Sequence, residues 1–177
     1  MQSTQMSEGQ HSPPRVLVAV VSHGRSKTLE DISKEVADLV RAAGVTVVRS
    51  VVAQGEATYI EQLVSNVSND NEADAIIMIG GTGFGPRDNT CEAINAFVER
   101  RIEGFGEAYR RLLRDDLELE VRAMLTRATA GVYNRCLVFA LTGRAPEVTR
   151  AVQQLVLPAL HDAVGLATGR ARAHDAK

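Results

Sequence analysis

Hydrophobic residues along this chain switch between two spacings, and the switches divide it into alternating strands and helices. Runs rich in apolar and β-branched residues at 16–21, 45–52 and 75–79 predict strands, and the unbroken apolar run at 75–79 is typical of a strand buried on both faces of a sheet. Between these runs, apolar residues over 29–43 and 60–67 recur at the spacing of an amphipathic helix. A strand–helix–strand order of this kind predicts parallel pairing with right-handed crossovers.

The second half of the chain departs from this simple alternation. Its apolar spacing predicts helices and one turn, namely helices over 89–101, 107–114 and 117–128 and a turn over 104–106. Two short apolar runs at 130–133 and 136–141 flank Asn134 and Arg135, and this arrangement predicts a hairpin. One strand of the sheet must then run antiparallel to its neighbour.

Together these elements predict an α/β protein, a three-layer sandwich with a mostly parallel mixed sheet flanked by helices. A closing helix covers 148–156, and Pro158 is expected to kink or end it. One domain is predicted over 15–164. A disordered N-terminal tail, 1–14, precedes it and a mobile polar C-terminal tail, 165–177, follows it.

Composition fits one globular domain and narrows the classes of function. Of 177 residues, 45% are hydrophobic and 24% are charged, and the formal net charge of -2 does not favour a nucleic-acid or anionic-membrane partner. The apolar runs are too short to span a bilayer and the N-terminus lacks a signal-peptide core, so a cytoplasmic location is expected. The two cysteines have no Cys or His at metal-ligand spacing, which argues against a disulfide framework or a zinc site.

The strongest chemical signal is a glycine-rich loop between a predicted strand and a predicted helix. Residues 80–89 follow the strand 75–79 directly, at the edge where open α/β sheets bind ligands. Asn89 and Glu92 have the spacing of a capping box, so the helix is expected to begin there. Little side-chain bulk lets backbone N–H groups approach an anion, and the helix adds its positive end. The loop therefore predicts a phosphate or pyrophosphate site.

Two common phosphate motifs do not fit this loop. A P-loop requires Lys and then Ser or Thr after its last glycine, but here Gly85 is followed by Pro86 and Arg87. In the dinucleotide fingerprint, the position of the third glycine falls on Pro86. The alternative interpretation is a tight strand-to-helix turn in which the glycines serve backbone geometry alone.

Three sequence segments, in the same order as the motifs of a known family, allow a more specific interpretation of the loop. Residues 80–90 resemble the Gly-Gly-Thr-Gly...Arg-Asp-x-Thr signature of the MogA/MoaB family of molybdopterin-binding proteins. Residues 102–107 are similar to the Glu-Gly-Phe-Gly-Glu turn of the MoaB branch, and residues 125–132 to its Ser-Arg-Ala-x-Ala-Gly segment. The similarity runs from about 15 to 164 and implies the molybdopterin-binding-domain fold.

The resemblance implies a role in molybdenum cofactor biosynthesis. Members of this family bind molybdopterin, and active members use Mg-ATP to adenylylate it for a partner protein that inserts molybdate. Because two anions must be held together in this reaction, backbone donors, a helix end and a metal ion are needed to offset their repulsion. The family also implies a homotrimer or a homohexamer.

The family pattern assigns expected roles to individual residues. Asp88 matches the functional aspartate and is expected to orient a Mg-bound nucleotide or the attacking group; its alternative role is stabilisation of the helix dipole. Arg87 is expected to clamp a phosphate oxygen or to pair with a neighbouring carboxylate. The expected contacts to the ligand are Ser22, Gly80, Gly81, Thr82, Gly83, Phe84, Arg87 and Gly143.

Several positions depart from the family pattern. The aspartate that active members carry after the second strand is missing, and Glu56 is the candidate for this second catalytic carboxylate. His23 follows Ser22 where the family has Asp or Thr, and Lys34 replaces a glycine. The late Leu-Pro-Gly-Ser loop loses its Pro and Ser and gains Arg144. These changes indicate altered ligand choice or lost catalysis on a retained scaffold.

Three hypotheses follow from the matches and the departures. The chain is a working or modified adenylyltransferase, a molybdopterin-binding carrier or scaffold without catalysis, or a structural oligomer whose loop no longer binds a pterin. The first is preferred by a modest margin over the second.

Overall fold

A computed structural model describes residues 12–24, 26–117 and 120–169, with the backbone alone for 116 and 117. Within these residues the elements, in chain order, are β1 (Arg15–Val21), α1 (Lys27–Ala42), β2 (Thr46–Ala53), α2 (Ala57–Asn69), β3 (Ala75–Ile79), α3 (Thr90–Phe97), β4 (Arg100–Arg101), α4 (Gly104–Leu117), α5 (Glu120–Leu125), β5 (Thr129–Tyr133), β6 (Cys136–Leu141), α6 (Ala145–Ala151) and α7 (Leu157–Thr168). A π-helical stretch, Val152–Val156, joins α6 to α7.

All of these strands form one six-stranded mixed sheet in the order β2-β1-β3-β6-β5-β4. Strands β2, β1, β3 and β6 pair in parallel, whereas β5 pairs antiparallel with both β6 and β4. Val20, Ile79 and Leu141 occupy one register position near the carboxyl ends of β1, β3 and β6. These three ends therefore meet at one edge of the sheet, which is where ligands bind in open α/β folds.

Helices cover both faces of the sheet. Alternate residues of each strand point to opposite faces, so Val18 and Ile77 join one buried cluster while Leu17 and Ile76 join the other. The first cluster lies under α1, α4, α6 and α7, and the second lies under α2 and α3. Because both of their faces are buried, β1, β3 and β6 are continuous apolar runs, whereas the edge strand β2 is largely exposed. The predicted α/β three-layer sandwich is confirmed.

The predicted hairpin is also present. It joins β5 to β6 through Asn134 and Arg135, whose φ angles are 40° and 74°. Positive φ at both central residues matches the twist of a two-residue hairpin. The hydroxyl of Ser68 on α2 donates to the carbonyl of Asn134 at 3.0 Å, which anchors the turn to the helix layer.

Three sequence predictions for the second half are wrong in extent. Helix α3 ends at Phe97 rather than at 101, because Arg100 and Arg101 pair with β5 as the short strand β4. The predicted turn at 104–106 is the first turn of α4. The helix predicted over 117–128 ends at Leu125 as α5, and its Val121 is 68% exposed. At the end of α3, pairing with a distant strand outweighs local periodicity.

Pro158 does not end the closing helix. The π-helical stretch widens the backbone just before it, and the N–H of Leu157 donates to the carbonyl of Val152. Pro158 follows in the first turn of α7, where its missing N–H breaks no regular helical bond. Helix α7 then continues past the predicted boundary at 164 and ends at Thr168, with Gly169 at φ 71° as its cap.

The ends of the predicted domain lie close to the ends of the described chain. Pro14 is buried, and its carbonyl accepts from the N–H of Thr46 at 3.0 Å, so the fold begins just before the predicted start at 15. The rest of the predicted tails, 1–11 and 170–177, lies outside the described residues. Over the part of the chain that is described, no helix combines the length and the apolar character needed to cross a membrane.

Candidate functional site

A cleft of about 640 Å³ opens at the carboxyl ends of β3 and β6. The glycine loop, defined here as residues 80–89, forms one side of it. The start of α1, the end of α5 and the loop after β6 supply the remaining lining. Of the residues predicted from sequence, the cleft brings together Gly80, Gly81, Thr82, Gly83, Phe84, Asp88 and Gly143.

Two predicted site residues line a separate cleft of about 560 Å³. Ser22 and Glu56 lie there with His23, at the carboxyl ends of β1 and β2, and Ser26 is shared by both clefts. Glu56 Oε1 lies 3.8 Å from His23 Nδ1. His23 Nε2 lies 2.7 Å from the carbonyl oxygen of Arg87, and because a carbonyl only accepts, this nitrogen donates the proton. His23 thus connects the carboxylate of Glu56 to the backbone of the glycine loop.

Two cationic residues singled out in the sequence lie outside the lining of either cleft. Arg87 is exposed, and only its carbonyl, through His23, takes part in the contacts described above. Lys34 is exposed on α1 and pairs with Asp31 at 3.9 Å. The expected phosphate clamp by Arg87 therefore stays a prediction.

The first turn of α3 fixes the start of the glycine loop. Gly80 and Gly81 have φ angles of 101° and 66°, a region that favours glycine. The hydroxyl of Thr90 is fully buried and donates to the Gly80 carbonyl at 2.9 Å, while its N–H donates to the Gly81 carbonyl at 3.0 Å. A Cβ at Gly81 would lie 2.2 Å from Thr90 Oγ1. The positive φ angles and the two hydrogen bonds from Thr90 hold the start of the loop in one backbone conformation.

Arg127, to which the sequence pattern assigns no role, organises the rest of the loop. Its guanidinium donates to the carbonyls of Thr82 at 3.4 Å, of Asp88 at 3.0 Å and of Gly83, and it pairs with Glu92. Burial acts to raise the pKa of the Glu92 carboxyl, but hydrogen bonds from Arg127 and the backbone, with the charge of Arg127, hold it below its ordinary value. Glu92 therefore stays charged and keeps Arg127 in place.

Glu92 does not complete the predicted capping box. Asn89 is the N-cap of α3, as predicted, but its side chain makes no capping hydrogen bond. The carboxylate of Glu92 is instead turned to Arg127, which arrives from the segment just before β5. The charge pair replaces the local cap with a contact between distant parts of the chain.

The contacts of Arg127 set the direction of the loop's peptide groups. In a trans peptide the C=O and the following N–H point in opposite directions. Since the carbonyls of Thr82 and Gly83 point to Arg127, the N–H groups of Gly83 and Phe84 point away from it. Among the described residues, the N–H groups of Gly81, Thr82, Gly83 and Phe84 have no acceptor. Successive N–H groups without an internal acceptor are the kind of donors from which anion-binding nests are built.

Asp88 lies across the same loop. Its Oδ2 accepts from the N–H of Gly85 at 2.9 Å, while Oδ1 has no hydrogen-bond partner among the described residues. A Cβ at Gly83 or Gly85 would lie 2.6 or 2.8 Å from Oδ2, so both glycines make room for this carboxylate. Asp88 is thereby held in the cleft lining by a short local contact, with one oxygen left for a ligand.

A second organised group lines the cleft after β6 and on α5. Glu147 is 3% exposed; it accepts from the hydroxyl of Thr142 at 2.9 Å and pairs with Arg122 at 3.0 Å. Tyr109 donates to the same hydroxyl at 3.3 Å, and burial raises the pKa of its phenol, which therefore stays protonated. Arg144 Nε lies 3.9 Å from Glu147. Arg122, Thr142, Arg144 and Glu147 are called the arginine side of the cleft below.

The cysteine beside the glycine loop is a packing residue. Cys91 is buried, and its thiol donates to the carbonyl of Arg127 at 2.8 Å. Burial raises the pKa of the Cys91 thiol to about 12, so it is not a nucleophile at neutral pH. No group of three or more His, Cys, Asp or Glu within the described ranges could hold a metal ion.

Fold and cleft together define an α/β protein with a glycine-rich loop lining a cleft at the carboxyl edge of its parallel strands. The profile of a protein family described as "Probable molybdopterin binding domain" matches residues 18–162. The chain belongs to this family, the MogA/MoaB family, and is a molybdenum cofactor biosynthesis protein of the MoaB type. The resemblance seen in the sequence is confirmed.

Individual relatives agree with this assignment. Molybdenum cofactor biosynthesis protein B of Staphylococcus epidermidis is 39% identical over 99 residues, which span 56% of each chain. Its namesake in Bacillus subtilis is 30% identical over 146 residues, covering 82% of this chain and 85% of the relative. A crystal structure of molybdenum cofactor biosynthesis protein B has a TM-score of 0.82 at 28% identity, covering 89% of this chain and 97% of that one. The molybdopterin biosynthesis enzyme MoaB of Thermus thermophilus has a TM-score of 0.75 at 28% identity, covering 89% and 98%.

Proposed function

We propose that this chain binds molybdopterin in the glycine-loop cleft and adenylylates it with Mg-ATP. The observation that carries the proposal is the contact of Arg127 with the loop carbonyls, which leaves the N–H groups of Gly83 and Phe84 directed away from it. These N–H groups bind the terminal phosphate of the pterin. Family membership and the relatives' names support molybdopterin as the pterin.

The loop also suits the charge changes of adenylyl transfer. An oxygen of the pterin phosphate attacks the α-phosphorus of ATP; the bond from that phosphorus to the bridging oxygen breaks, and pyrophosphate leaves. Backbone donors placed before the reaction stabilise the developing negative charge without reorganisation. A phosphate dianion attacks without losing a proton, so the chain needs no general base for this step.

Asp88 is the residue that we place at the reacting phosphates. Its free Oδ1 and its position on the loop suit a carboxylate that orients a hydrated Mg²⁺ together with phosphate oxygens. Mg²⁺ is usually held by one or two carboxylates plus substrate phosphates rather than by a protein cage, so a single carboxylate fits. When bound, the ion offsets the repulsion between the two phosphates.

A carrier without catalysis is the second candidate function, and one observation favours it. Glu56, the candidate for the second catalytic carboxylate, lies in the other cleft with its side chain 55% exposed. A protein that kept the anion nest and lost this carboxylate would hold molybdopterin without transferring a nucleotide to it. Binding of molybdopterin without nucleotide turnover distinguishes the carrier from the enzyme.

We also propose a cytoplasmic homotrimer or homohexamer that passes its product to a molybdate-inserting protein. The exposed apolar side chains on edge strand β2 and on α2, with Val52 at 60% and Tyr59 at 48%, support contact between copies. Sedimentation velocity on the full chain tests this part. A monomer at micromolar concentration contradicts it.

The test of the proposed function is calorimetry with molybdopterin and with Mg-ATP, followed by an assay of pyrophosphate release. The enzyme binds both ligands and releases pyrophosphate only when both are present. Asp88→Asn keeps an acceptor for the Gly85 N–H but removes the charge, and we expect pyrophosphate release to fall at least about 100-fold. Asp38→Asn, at an exposed site on α1, is the matched control.

Each outcome of this test has one reading. Turnover by Asp88→Asn at the wild-type rate contradicts the role of Asp88. Binding of molybdopterin alone selects the carrier. Failure to bind either ligand leaves the structural oligomer as the remaining hypothesis.

A further inference from the structure

We propose that Arg122 and Arg144 form a second site for a phosphate-type anion in the same cleft, held in place by the buried carboxylate of Glu147. The inference rests on the proposed function, since it assumes that the ligand's first phosphate lies at the glycine loop. It adds that the cleft takes a ligand, or a ligand pair, with more than one anionic group.

The anchor of this second site is Glu147. At 3% exposure its carboxylate is removed from water, and a buried carboxylate requires partners. It has them in the Thr142 hydroxyl at 2.9 Å and in Arg122 at 3.0 Å, with Arg144 Nε at 3.9 Å. Because Tyr109 donates to Thr142 from behind, the hydroxyl proton is directed at Glu147. The carboxylate therefore has little freedom; it fixes Arg122 by a hydrogen bond and keeps Arg144 within ion-pair distance.

The two guanidiniums keep donors for a ligand. Arg122 uses one N–H on Glu147, and its side chain is 48% exposed; the side chain of Arg144 is 59% exposed. Both side chains belong to the lining of the cleft. Two guanidiniums against one carboxylate leave a net positive charge at this end. Arginine is the residue best suited to phosphate recognition, because its planar fork matches two oxygens at once.

The cleft lining also contains a hydroxyl group, that of Thr126, without a hydrogen-bond partner among the described residues. Thr126 follows α5, and its hydroxyl oxygen is buried. A buried polar atom without a partner costs free energy unless a bound group supplies one. A ligand oxygen held by the neighbouring arginines would satisfy it after a rotation about χ1.

The chemistry of the site defines the class of its occupant. A guanidinium pair with an adjacent hydroxyl binds a phosphate or pyrophosphate group and disfavours a neutral pterin substituent. The group could come from the phosphates of the nucleotide or from the terminal phosphate of the pterin, and the shared chemistry is a phosphate-type anion. The sequence feature behind it is the gain of Arg144 in the late loop.

Titration calorimetry of the full chain with pyrophosphate, without Mg²⁺, tests the second site. We expect Arg144→Ser and Arg122→Gln each to weaken pyrophosphate binding about tenfold, since each removes a charge-assisted contact. Arg150→Ser, in the last turn of α6 and outside the cleft lining, is the matched control and should bind as the wild type does. Arg144 is exposed, so its replacement leaves the fold intact even if loss of Arg122 destabilises Glu147.

The source of the anion is read from two further titrations. If Arg144→Ser weakens ATP binding and leaves molybdopterin binding unchanged, the site takes the nucleotide's phosphates; the reverse result assigns it to the pterin tail. Wild-type pyrophosphate affinity in Arg144→Ser, or no pyrophosphate binding by the wild type, overturns the inference. Arginine-dependent pyrophosphate binding without any molybdopterin binding would instead contradict the proposed function and leave this site standing.

Discussion

The two sides of the cleft use the same pair of charges in different ways. On the loop side, Arg127 paired with Glu92 donates to backbone carbonyls, so the groups left for a ligand are N–H groups of the main chain. On the arginine side, Glu147 holds Arg122, and the groups left for a ligand are side chains. The loop side therefore depends on backbone geometry, whereas the arginine side can change its specificity by substitution.

This difference agrees with where the sequence keeps the family pattern and where it departs from it. The glycine loop retains the family string, and its glycines are fixed by contacts such as that of Gly81 with Thr90. The late loop has lost the family's Pro and Ser and gained Arg144. Retention on one side and change on the other are what we expect if the proposed phosphate site is kept and its second contact is altered.

The largest expected effect lies on the loop side. Gly81→Ala forces a residue with a side chain into φ 66° and puts its Cβ 2.2 Å from Thr90 Oγ1. We expect the free energy of unfolding to fall by roughly 2–4 kcal/mol, from backbone strain and overpacking together. Urea denaturation followed by circular dichroism measures it. Gly104→Ala, where a Cβ meets nothing within 4 Å, is the control, and equal stability of the two variants would contradict the loop geometry.

The second-largest effect is expected for a variant of Arg127, which orients the backbone of the glycine loop. Arg127→Gln keeps a hydrogen-bond donor but loses the fork that reaches the carbonyls of Thr82, Gly83 and Asp88. We expect molybdopterin affinity to drop by about 2 kcal/mol, or roughly 30-fold, because the N–H groups lose their fixed direction. Calorimetry with molybdopterin measures the change. Arg101→Gln, at an exposed arginine on β4, is the control. An unchanged molybdopterin affinity in Arg127→Gln would contradict the role given to the backbone N–H groups on the loop side.

A smaller effect is expected on the arginine side. Glu147→Gln keeps an acceptor for Thr142 but leaves Arg122 without its carboxylate. Because the side chain of Arg122 is 48% exposed, water compensates part of the loss, and we expect a cost of about 1–2 kcal/mol in stability. Thermal unfolding measures it. A stability equal to that of the wild type would show that Glu147 does not hold the arginine side together.

The smallest effect is a change with pH in the Glu92–Arg127 pair. The pKa of Glu92 is held below its ordinary value in the folded chain, so the pair stabilises the fold above the unfolded pKa. Its contribution is lost as pH falls through the lower, folded pKa. Glu92→Gln should cost less than about 1 kcal/mol at pH 7, given the partial exposure of the pair, and nothing at the acid end. Urea midpoints of both proteins against pH test this; a gap that widens towards low pH has the wrong sign.

Local signals in the sequence were enough for most of the fold. The apolar runs of the buried strands predicted β1, β3 and β6, and Asn134 with Arg135 between two such runs predicted the hairpin. The short strand β4 was not predictable in the same way. Arg100 and Arg101 are strand residues only because β5, about 30 residues later, supplies a partner.

The candidate site was predicted in part, for a physical reason. Gly81, Thr82 and Asp88 were found because a glycine-rich loop between strand and helix is a local pattern. The roles of Arg127 and Glu147 depend on contacts between residues distant in the sequence, which no local spacing reveals. Arg127 lies within the segment 125–132 that resembles the family and Glu147 follows the late loop, so a charged residue in or beside such a segment is the signal that could have found them.

The most direct test of the account is the backbone N–H signals of Gly83 and Phe84 during a titration with molybdopterin. If these groups donate to the pterin phosphate, their proton resonances move downfield, and the movement is lost in Arg127→Gln. Resonances that stay in place while those of Ser22 and His23 in the other cleft move would show that the ligand binds elsewhere, and would contradict the account.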